Sequence, residues 1–215
     1  MSDLDDPVTD PVTIPNIEYW TRAMEKQVGA RIDIVMGNPL LLSVYQKFGA
    51  GVFRRSSVFH GLERILRDNA VRGKCAFEIG TWNGLTAVIL SQFFDEVITV
   101  DIAHNAAKHA ILQHLGITNV RCVDISENAE KAMALKGIKI DFAYLDGNHA
   151  EDTESDFDLV RRCGRVLFHE CWPFQSPVWE LVRSLPYHQV VYSGAGLALW
   201  DKFRPGPEPL EPRNG

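Results

Sequence analysis

Five short apolar segments of this sequence each end on an acidic residue. These acids are Glu78, Asp101, Asp124, Asp146 and Glu170. In an open parallel sheet the carboxyl ends of the strands meet at one edge, and ligands bind in the crevice there. Carboxylates that gather at one edge repel one another, so ligand donors, cations or backbone N–H groups must offset their charges. The pattern therefore predicts a polar ligand site at the carboxyl edge of a parallel sheet.

The first segment leads into a glycine-containing turn, Gly80-Thr81-Trp82-Asn83-Gly84, which precedes an amphipathic segment. Glycines let the backbone approach a ligand closely, and the N-terminus of a helix offers free N–H groups. Asp101 follows this turn at about the interval at which dinucleotide-binding folds place the carboxylate that accepts ribose hydroxyls. The spacing indicates a nucleoside ligand.

The turn differs from the one that binds the diphosphate of a dinucleotide. It lacks the G-x-G-x-x-G pattern, and Glu78 precedes it. A carboxylate beside the ligand disfavours a diphosphate and favours a cation. We therefore expect a positively charged nucleoside. Two alternatives stay open, a nicotinamide-dependent oxidoreductase and a non-catalytic binding or interaction protein on the same fold.

Alternating strands and helices must position these residues. The first strand is predicted over 75–79, its helix over 85–94 and the second strand over 97–100, and further units follow to residue 168. After a predicted helix over 177–185, two strand-like segments at 188–192 and 197–200 flank a short glycine turn. We expect an α/β fold with a Rossmann-like, doubly wound sheet of about seven strands, mostly parallel with a C-terminal antiparallel hairpin, plus N-terminal helices.

The composition changes at both ends of the chain. Residues 1–16 are acidic and interrupted by prolines, which predicts a disordered tail. Apolar residues at helical spacing predict a helical lid or extension over 17–55, in which Trp20 and Phe53 are candidates to cover the site. Residues 56–203 then form the ligand-binding domain, and the proline-rich residues 204–215 form a second tail.

The bulk properties narrow the function classes. The 215 residues carry a formal net charge of -6 at pH 7, which argues against nucleic acid as the main partner. The four cysteines show no C-x-x-C pairing. No segment is long and apolar enough to span a membrane, and no secretory signal pattern is visible. We expect a cytoplasmic protein with no membrane partner. The N-terminal helices carry more apolar surface than a lid needs, so a homo-oligomer is also possible.

Together these motifs resemble those of the class I S-adenosylmethionine-dependent methyltransferases. Glu78-x-Gly80-x-x-x-Gly84 resembles the first motif of that family, and residues 97–101 resemble its second-strand motif. Residues 119–124 are similar to the strand whose end contacts adenine. Residues 144–149 and 164–170 look like those of a narrower group, O-methyltransferases that act on small molecules such as sugars and macrolides.

The resemblance implies S-adenosyl-L-methionine as cofactor, a hydroxyl on a small molecule as acceptor, and a role for each residue at the carboxyl edge. The cofactor-binding residues would be Glu78, Gly80, Thr81, Trp82, Asn83, Gly84, Asp101, Ile102, Asp124, Ile125, Asp146 and Gly147. Glu78 would lie near the methionine ammonium, and Asp101 would accept the ribose hydroxyls. Asp124 and the N–H of Ile125 would contact the adenine edge. Asp146 and Gly147 would flank the reacting methyl group.

Methyl transfer to a hydroxyl requires alignment, exclusion of water and removal of the hydroxyl proton. The resemblance assigns Asp146 and an acid after the fifth strand, here Glu170, to a divalent cation such as Mg²⁺, which would lower the pKa of the acceptor hydroxyl. Alternatively, His149 or His169 would act as general base, because histidine exchanges protons near neutral pH. The catalytic candidates are thus Asp146, His149 and His169, and the sequence does not identify the acceptor.

Overall fold

A seven-stranded sheet lies at the centre of the computed structural model. The model describes residues 34–53, 58, 61–103, 105–125, 127, 129–148, 152–172, 176–186, 189–193 and 196–204. The strands are β1 (Gly73–Ile79), β2 (Phe94–Asp101), β3 (Val120–Asp124), β4 (Phe142–Leu145), β5 (Arg165–Phe168), β6 (Val190–Tyr192) and β7 (Ala198–Asp201). Their order is β3-β2-β1-β4-β5-β7-β6. Strands β1 to β5 are parallel, and β7 runs antiparallel to both β5 and β6. The predicted fold class is confirmed.

Seven helices are described around this sheet. They are α1 (Pro39–Phe48), α2 (Leu62–Asp68), α3 (Leu85–Leu90), α4 (Ala107–His114), α5 (Ala129–Ala134), α6 (Thr153–Val160) and α7 (Pro177–Ser184). Two begin where the sequence offers a cap followed by proline. The side chain of Asn38 accepts hydrogen bonds from two N–H groups in the first turn of α1, and Ser176 accepts one from Trp179 in α7. Proline suits the first turn because its missing N–H would have no partner there.

The core has one apolar layer on each face of the sheet. Helices α1 to α4 contribute to the layer that contains Ala76 of β1, whereas α6 and α7 pack against the layer that contains its neighbour Phe77. Successive residues of a strand point to opposite faces, so a strand covered on both sides must be apolar at consecutive positions. This requirement explains the continuous apolar runs in the sequence.

One predicted boundary was wrong. Strand β2 begins at Phe94, which the sequence pattern had placed at the end of the preceding helix, and α3 ends at Leu90. Asp95 and Glu96 are exposed, so they interrupt the apolar pattern at the start of the strand. Phe94 is nevertheless in register with Gly73 of β1. Pairing with the neighbouring strand extended β2 beyond its apolar run.

Several predictions fall outside the described residues. They are the acidic tail 1–16, the part of the 17–55 extension before residue 34, His149, and residues 205–215 of the proline-rich tail. Within the described part of the chain, no helix combines the length and the apolarity needed to cross a membrane.

Candidate functional site

The glycine loop after β1 passes close to the end of β4. Gly80 has a φ of +99°, and a Cβ atom built on it would lie 2.1 Å from the carbonyl oxygen of Asp146. The N–H of Gly80 donates to the carbonyl of Val100 at 2.9 Å, and the N–H of Asp146 donates to the carbonyl of Ile79 at 2.8 Å. Only glycine fits at position 80, because any side chain would collide with the backbone that carries Asp146.

The rest of the loop is tied to its surroundings. The N–H of Gly84 donates to the carbonyl of Thr81 at 2.7 Å, which closes the turn before α3. Asn83 is buried; its Oδ1 accepts from the N–H of Leu85, and its Nδ2 donates to the carbonyl of Val52. Asn83 therefore connects the loop to the short 3₁₀ turn Ala50–Phe53 of the N-terminal extension.

Asp101 stands beside the loop with its carboxylate held by backbone donors. Its Oδ2 accepts from the N–H of Trp82 at 2.5 Å, and its Oδ1 accepts from the N–H of Ala103 at 2.7 Å. A carboxylate has about four lone-pair sites, so these two bonds leave capacity for a pair of hydroxyls. Ile102 and Trp82 next to it are 65% and 45% exposed. The arrangement can bind a polar ligand with an apolar ring beside it.

Glu78 lies beneath the loop and has no exposed surface. Its Oε2 accepts from the hydroxyl of Thr99 at 2.5 Å, and that hydroxyl contacts the hydroxyl of Thr81 at 2.5 Å. Burial raises the pKa of Glu78 to about 8, and the hydroxyls of Thr86 and Thr99 offset this effect only in part. Near neutral pH this carboxyl group therefore holds a proton.

This protonation differs from the expectation that the charge of Glu78 selects a cation. Glu78 is in register with Thr99 inside the sheet, so its side chain is directed into the protein interior. Its Oε1 has no hydrogen-bond partner among the described residues. The contact of Glu78 with the ammonium of a ligand stays a prediction. The sequence showed an acid at this position but not its depth.

Asp124 pairs with a lysine that the sequence analysis missed. Lys108 of α4 is fully buried, and its Nζ donates to Oδ1 of Asp124. The N–H of Ile125, expected to contact adenine, instead donates to the carbonyl of Asp101 at 3.0 Å, because it continues the ladder between β2 and β3. The available signal was the position of Lys108 on the apolar face of α4, one helical turn before Ile111.

Asp146 and His169 form a hydrogen-bonded pair between the ends of β4 and β5. Nδ1 of His169 lies 2.5 Å from Oδ1 of Asp146, and the hydroxyl of Tyr144 donates to Oδ2 of Asp146 at 3.4 Å. The two side chains of the pair are 17% and 9% exposed. Asp146 and His169 were each predicted as catalytic candidates, but their pairing was not. Tyr144 was missed, although it lies two residues before Asp146 at the end of the same strand.

The predicted metal pair is not assembled into a ligand set. Glu170 is exposed and has a φ of +53°, and its carbonyl accepts from the N–H of Trp172 and the hydroxyl of Ser176. Across the described ranges, no group of three or more His, Cys, Asp and Glu residues could hold a metal ion. Since Oδ1 of Asp146 already contacts His169, the donors present do not fit a hard divalent cation, which requires several oxygen ligands.

Two further features limit the chemistry at this edge. A Cβ atom on Gly147 would lie 3.0 Å from Cγ2 of Ile79, so the chain after Asp146 packs tightly against β1. Burial raises the pKa of the thiols of Cys75, Cys122 and Cys163 to about 11, and also raises that of Cys171. None of the cysteines is therefore a thiolate nucleophile near neutral pH.

Comparison with known proteins agrees with this geometry. Residues 77–171 match the family model described as a methyltransferase domain. No curated protein matches the sequence. Three solved structures share the fold at low sequence identity.

The first is a Staphylococcus aureus protein described as a caffeoyl-CoA O-methyltransferase, 16% identical over 82% of this chain and 98% of that chain, with a TM-score of 0.55. The second is cofactor-bound Rv0187 from MTB, 14% identical over 90% and 94% of the two chains, with a TM-score of 0.54. The third is an rRNA methylase from Streptococcus thermophilus, 15% identical over 66% and 95%, with a TM-score of 0.51.

Residues 77–171 thus carry a methyltransferase domain, and the strand order and the glycine loop are consistent with the class I, S-adenosylmethionine-dependent fold.

Proposed function

We propose that this methyltransferase uses S-adenosyl-L-methionine to methylate a hydroxyl group of a small molecule, with His169 as general base. The observation that carries the proposal is the 2.5 Å contact between Nδ1 of His169 and Oδ1 of Asp146 at the carboxyl edge. Gly80 of the glycine loop abuts the backbone of Asp146, so the base stands next to the loop that would hold the cofactor. The description of one structural neighbour as an O-methyltransferase is consistent with this choice.

The glycine-loop side of the edge fits the cofactor. Gly80 lets the loop pack directly against the backbone of Asp146, and Asp101 keeps lone pairs for the ribose hydroxyls. Exposed Ile102 offers an apolar surface for the adenine ring. When bound, the cofactor supplies an electrophilic methyl group on a positively charged sulfur.

His169 is the residue that would take the acceptor proton. We assign the Nδ1–H as the donor to the carboxylate of Asp146, so that the lone pair of Nε2, an atom that is buried in this structure, would accept the proton. Asp146 holds the imidazole in this tautomer and stabilises it once it is charged, and the Tyr144 hydroxyl helps to orient Asp146. The pair is mostly buried, which excludes water as a competing acceptor of the methyl group. In this proposal His169 takes the proton without the help of a metal.

A small acceptor suits the charge of the protein better than nucleic acid does. The chain carries a formal net charge of -6, which disfavours binding to a phosphate backbone. The rRNA methylase among the neighbours shares the fold at 15% identity. Its substrate is therefore not carried over to this chain.

The N-terminal extension 17–55 is proposed as a lid for the acceptor. Two described contacts support this role. The carbonyl of Val52 accepts from Asn83 of the glycine loop, and the rings of Phe53 and Tyr45 lie 6.2 Å apart. The extension is thereby joined to the loop whose ligand it would cover. The catalytic domain then begins near residue 56 and ends near residue 203.

Calorimetry with S-adenosylhomocysteine tests the cofactor assignment. We expect the wild-type protein to bind this product nucleoside and not NAD. Asp101→Ala should weaken binding by about tenfold or more, because it removes the ribose acceptor. Asp95→Ala, at an exposed position of β2, is the control and should bind like the wild type. Binding of NAD in place of the nucleoside, or an unchanged affinity in Asp101→Ala, would refute the assignment.

Methyl transfer to a panel of phenols and hydroxylated sugars, with a labelled methyl donor, tests the base. His169→Gln should lower kcat by a factor of about 10² to 10⁴ while the affinity for S-adenosylhomocysteine stays within about twofold. His109→Gln, on the exposed side of α4, is the matched control. Activity that survives His169→Gln but disappears on chelation would favour the metal route instead.

A further inference from the structure

A cavity lies at the amino edge of the sheet, opposite the glycine loop. It is a groove of about 1030 Å³ between the start of β1, the residues before β4 and β5, and the ends of α5 and α6. Gly73 at the start of β1 lines it, whereas Gly80 follows the end of the same strand. At about 3.3 Å per residue, a strand of this length separates the two edges by roughly 20 Å. The groove is therefore not part of the methyl-transfer site.

Cations predominate around this groove, although the whole protein is acidic. The basic lining residues are Arg72, Lys74, Lys139, Arg162 and Arg165, and among the described residues Asp141 is the one carboxylate that lines it. Arg165 is neutralised by Asp201 at 3.1 Å.

The other four basic residues are exposed, and no carboxylate among the described residues forms an ion pair with Lys74, Lys139 or Arg162. Asp141 is itself engaged, since its Oδ2 accepts from the N–H groups of Lys74 and Cys75. The rim therefore presents more positive charge than the protein itself neutralises.

The floor of the groove is apolar. Leu135, Ile138, Ile140 and Leu159 line it and are only partly buried against the core. Phe203 also lines it and is 61% exposed. A purely hydrated anion would gain nothing from this floor, whereas a molecule that joins an apolar body to an anionic head would bury both parts favourably.

We propose that the amino-edge groove binds a small amphipathic anion, a carboxylate or phosphate ester attached to an apolar body. The head group contacts Lys74, Lys139 and Arg162, and the apolar body lies against the floor. Because the groove is separated from the carboxyl edge by the length of the sheet, this ligand is neither the cofactor nor the methyl acceptor. The proposal does not depend on which molecule is methylated.

Calorimetry on the full-length protein tests this site with decanoate and decyl phosphate as probes. Decanol and decyltrimethylammonium are the matched neutral and cationic ligands, and inorganic phosphate is the head group alone. We expect saturable binding of both anions and at least about tenfold weaker binding of the other three. Decanoate and decyl phosphate compared with each other show which head group the groove prefers.

Two pairs of substitutions locate the binding. The double variant Lys74→Glu/Lys139→Glu should bind both anions at least about tenfold more weakly, because it replaces two cations of the rim by carboxylates. The control is the double variant Lys47→Glu/Arg183→Glu, which makes the same change in net charge on α1 and α7. It should bind the anions within about twofold of the wild type. Phe203→Ser should weaken the binding of decanoate several-fold, because it removes apolar contact surface from the floor and leaves the cations of the rim unchanged. S-adenosylhomocysteine affinity, measured on every variant, should not change and reports that the fold and the other site are intact.

The inference is overturned if neither anion binds saturably, if decanol binds as tightly as decanoate, or if both pairs of substitutions weaken binding equally. A short RNA oligonucleotide that binds the same groove more tightly than either probe would replace the small ligand by a nucleic acid and would also overturn it. Loss of S-adenosylhomocysteine binding with retained anion binding would instead count only against the proposed function.

Discussion

The two halves of the carboxyl edge neutralise their carboxylates in different ways. In the glycine-loop half, formed by the ends of β1, β2 and β3, backbone N–H groups bind Asp101, and buried Lys108 pairs with Asp124. In the histidine half, formed by the ends of β4 and β5, side chains bind Asp146, namely His169 and Tyr144.

A backbone N–H keeps its proton throughout the physiological pH range, whereas a histidine gains and loses one near neutrality. In the proposed function, the glycine-loop half holds a ligand in place and the histidine half exchanges a proton. This division is what an enzyme needs when it aligns one substrate and deprotonates another.

Gly80→Ala should have the largest effect on stability, because Gly80 lies at the contact between the two halves. The added Cβ would lie 2.1 Å from the carbonyl of Asp146, and the φ of +99° is unfavourable for alanine. We expect a loss of about 4 kcal/mol in the free energy of unfolding. Gly116→Ala also has a positive φ but meets no atom within 4 Å, so it should cost only about 1 kcal/mol. Equal losses in chemical denaturation would show that the halves do not abut.

The buried ion pair of the glycine-loop half should respond asymmetrically. Asp124→Ala leaves the ammonium of Lys108, whose side chain is 1% exposed, without its partner, and should cost about 3 kcal/mol of unfolding free energy. Lys108→Met leaves Asp124, whose side chain is 34% exposed and can be hydrated, and should cost about 1 kcal/mol. Denaturation of both variants checks the order, and the reverse order would contradict the buried position of Lys108.

Glu78 should make the stability of the glycine-loop half depend on pH. Its pKa is about 8 in the folded protein, against an ordinary value of 4.5. Between these values the folded state holds a proton that the unfolded state releases, so stability falls as pH rises. From about pH 6 to about pH 8 the wild type should lose about 2 kcal/mol more than Glu78→Gln, which has no carboxyl group to titrate.

Glu96→Gln, at an exposed position of β2, is the control for this measurement. It should show the same pH dependence as the wild type in denaturation experiments. If Glu78→Gln also follows the wild type, then Glu78 is ionised in the folded protein and the glycine loop rests on a charged group.

Tyr144→Phe should have the smallest effect, and it probes the histidine half. Its hydroxyl bond to Asp146 is 3.4 Å long, so its loss should cost less than about 1 kcal/mol of unfolding free energy. We expect turnover of an accepted hydroxyl substrate to fall only a few-fold, while the affinity for S-adenosylhomocysteine is unchanged. A loss as large as that of His169→Gln would make Tyr144 a second proton-transfer group.

Much of the fold could be predicted because its signals are local. The apolar runs at β1, β4 and β5 are short and bounded by polar residues or glycine, and a buried parallel strand needs no other pattern. The start of β2 was not predicted, because the charged residues Asp95 and Glu96 interrupt the apolar pattern there. Only pairing with β1 extends the strand to Phe94. Local composition cannot predict a strand boundary that depends on pairing with a neighbouring strand.

The sequence by itself determined which residues stand at the carboxyl edge, because strand ends and a glycine turn are encoded within a few positions of each other. Gly80, Asp101 and Asp146 were found in this way. Only the tertiary structure decided their partners, since Asp146 meets His169 and Asp124 meets Lys108 across 23 and 16 residues of chain. It also decided that Glu78 is protonated near neutral pH, because the depth at which a carboxyl group is buried depends on everything packed around it.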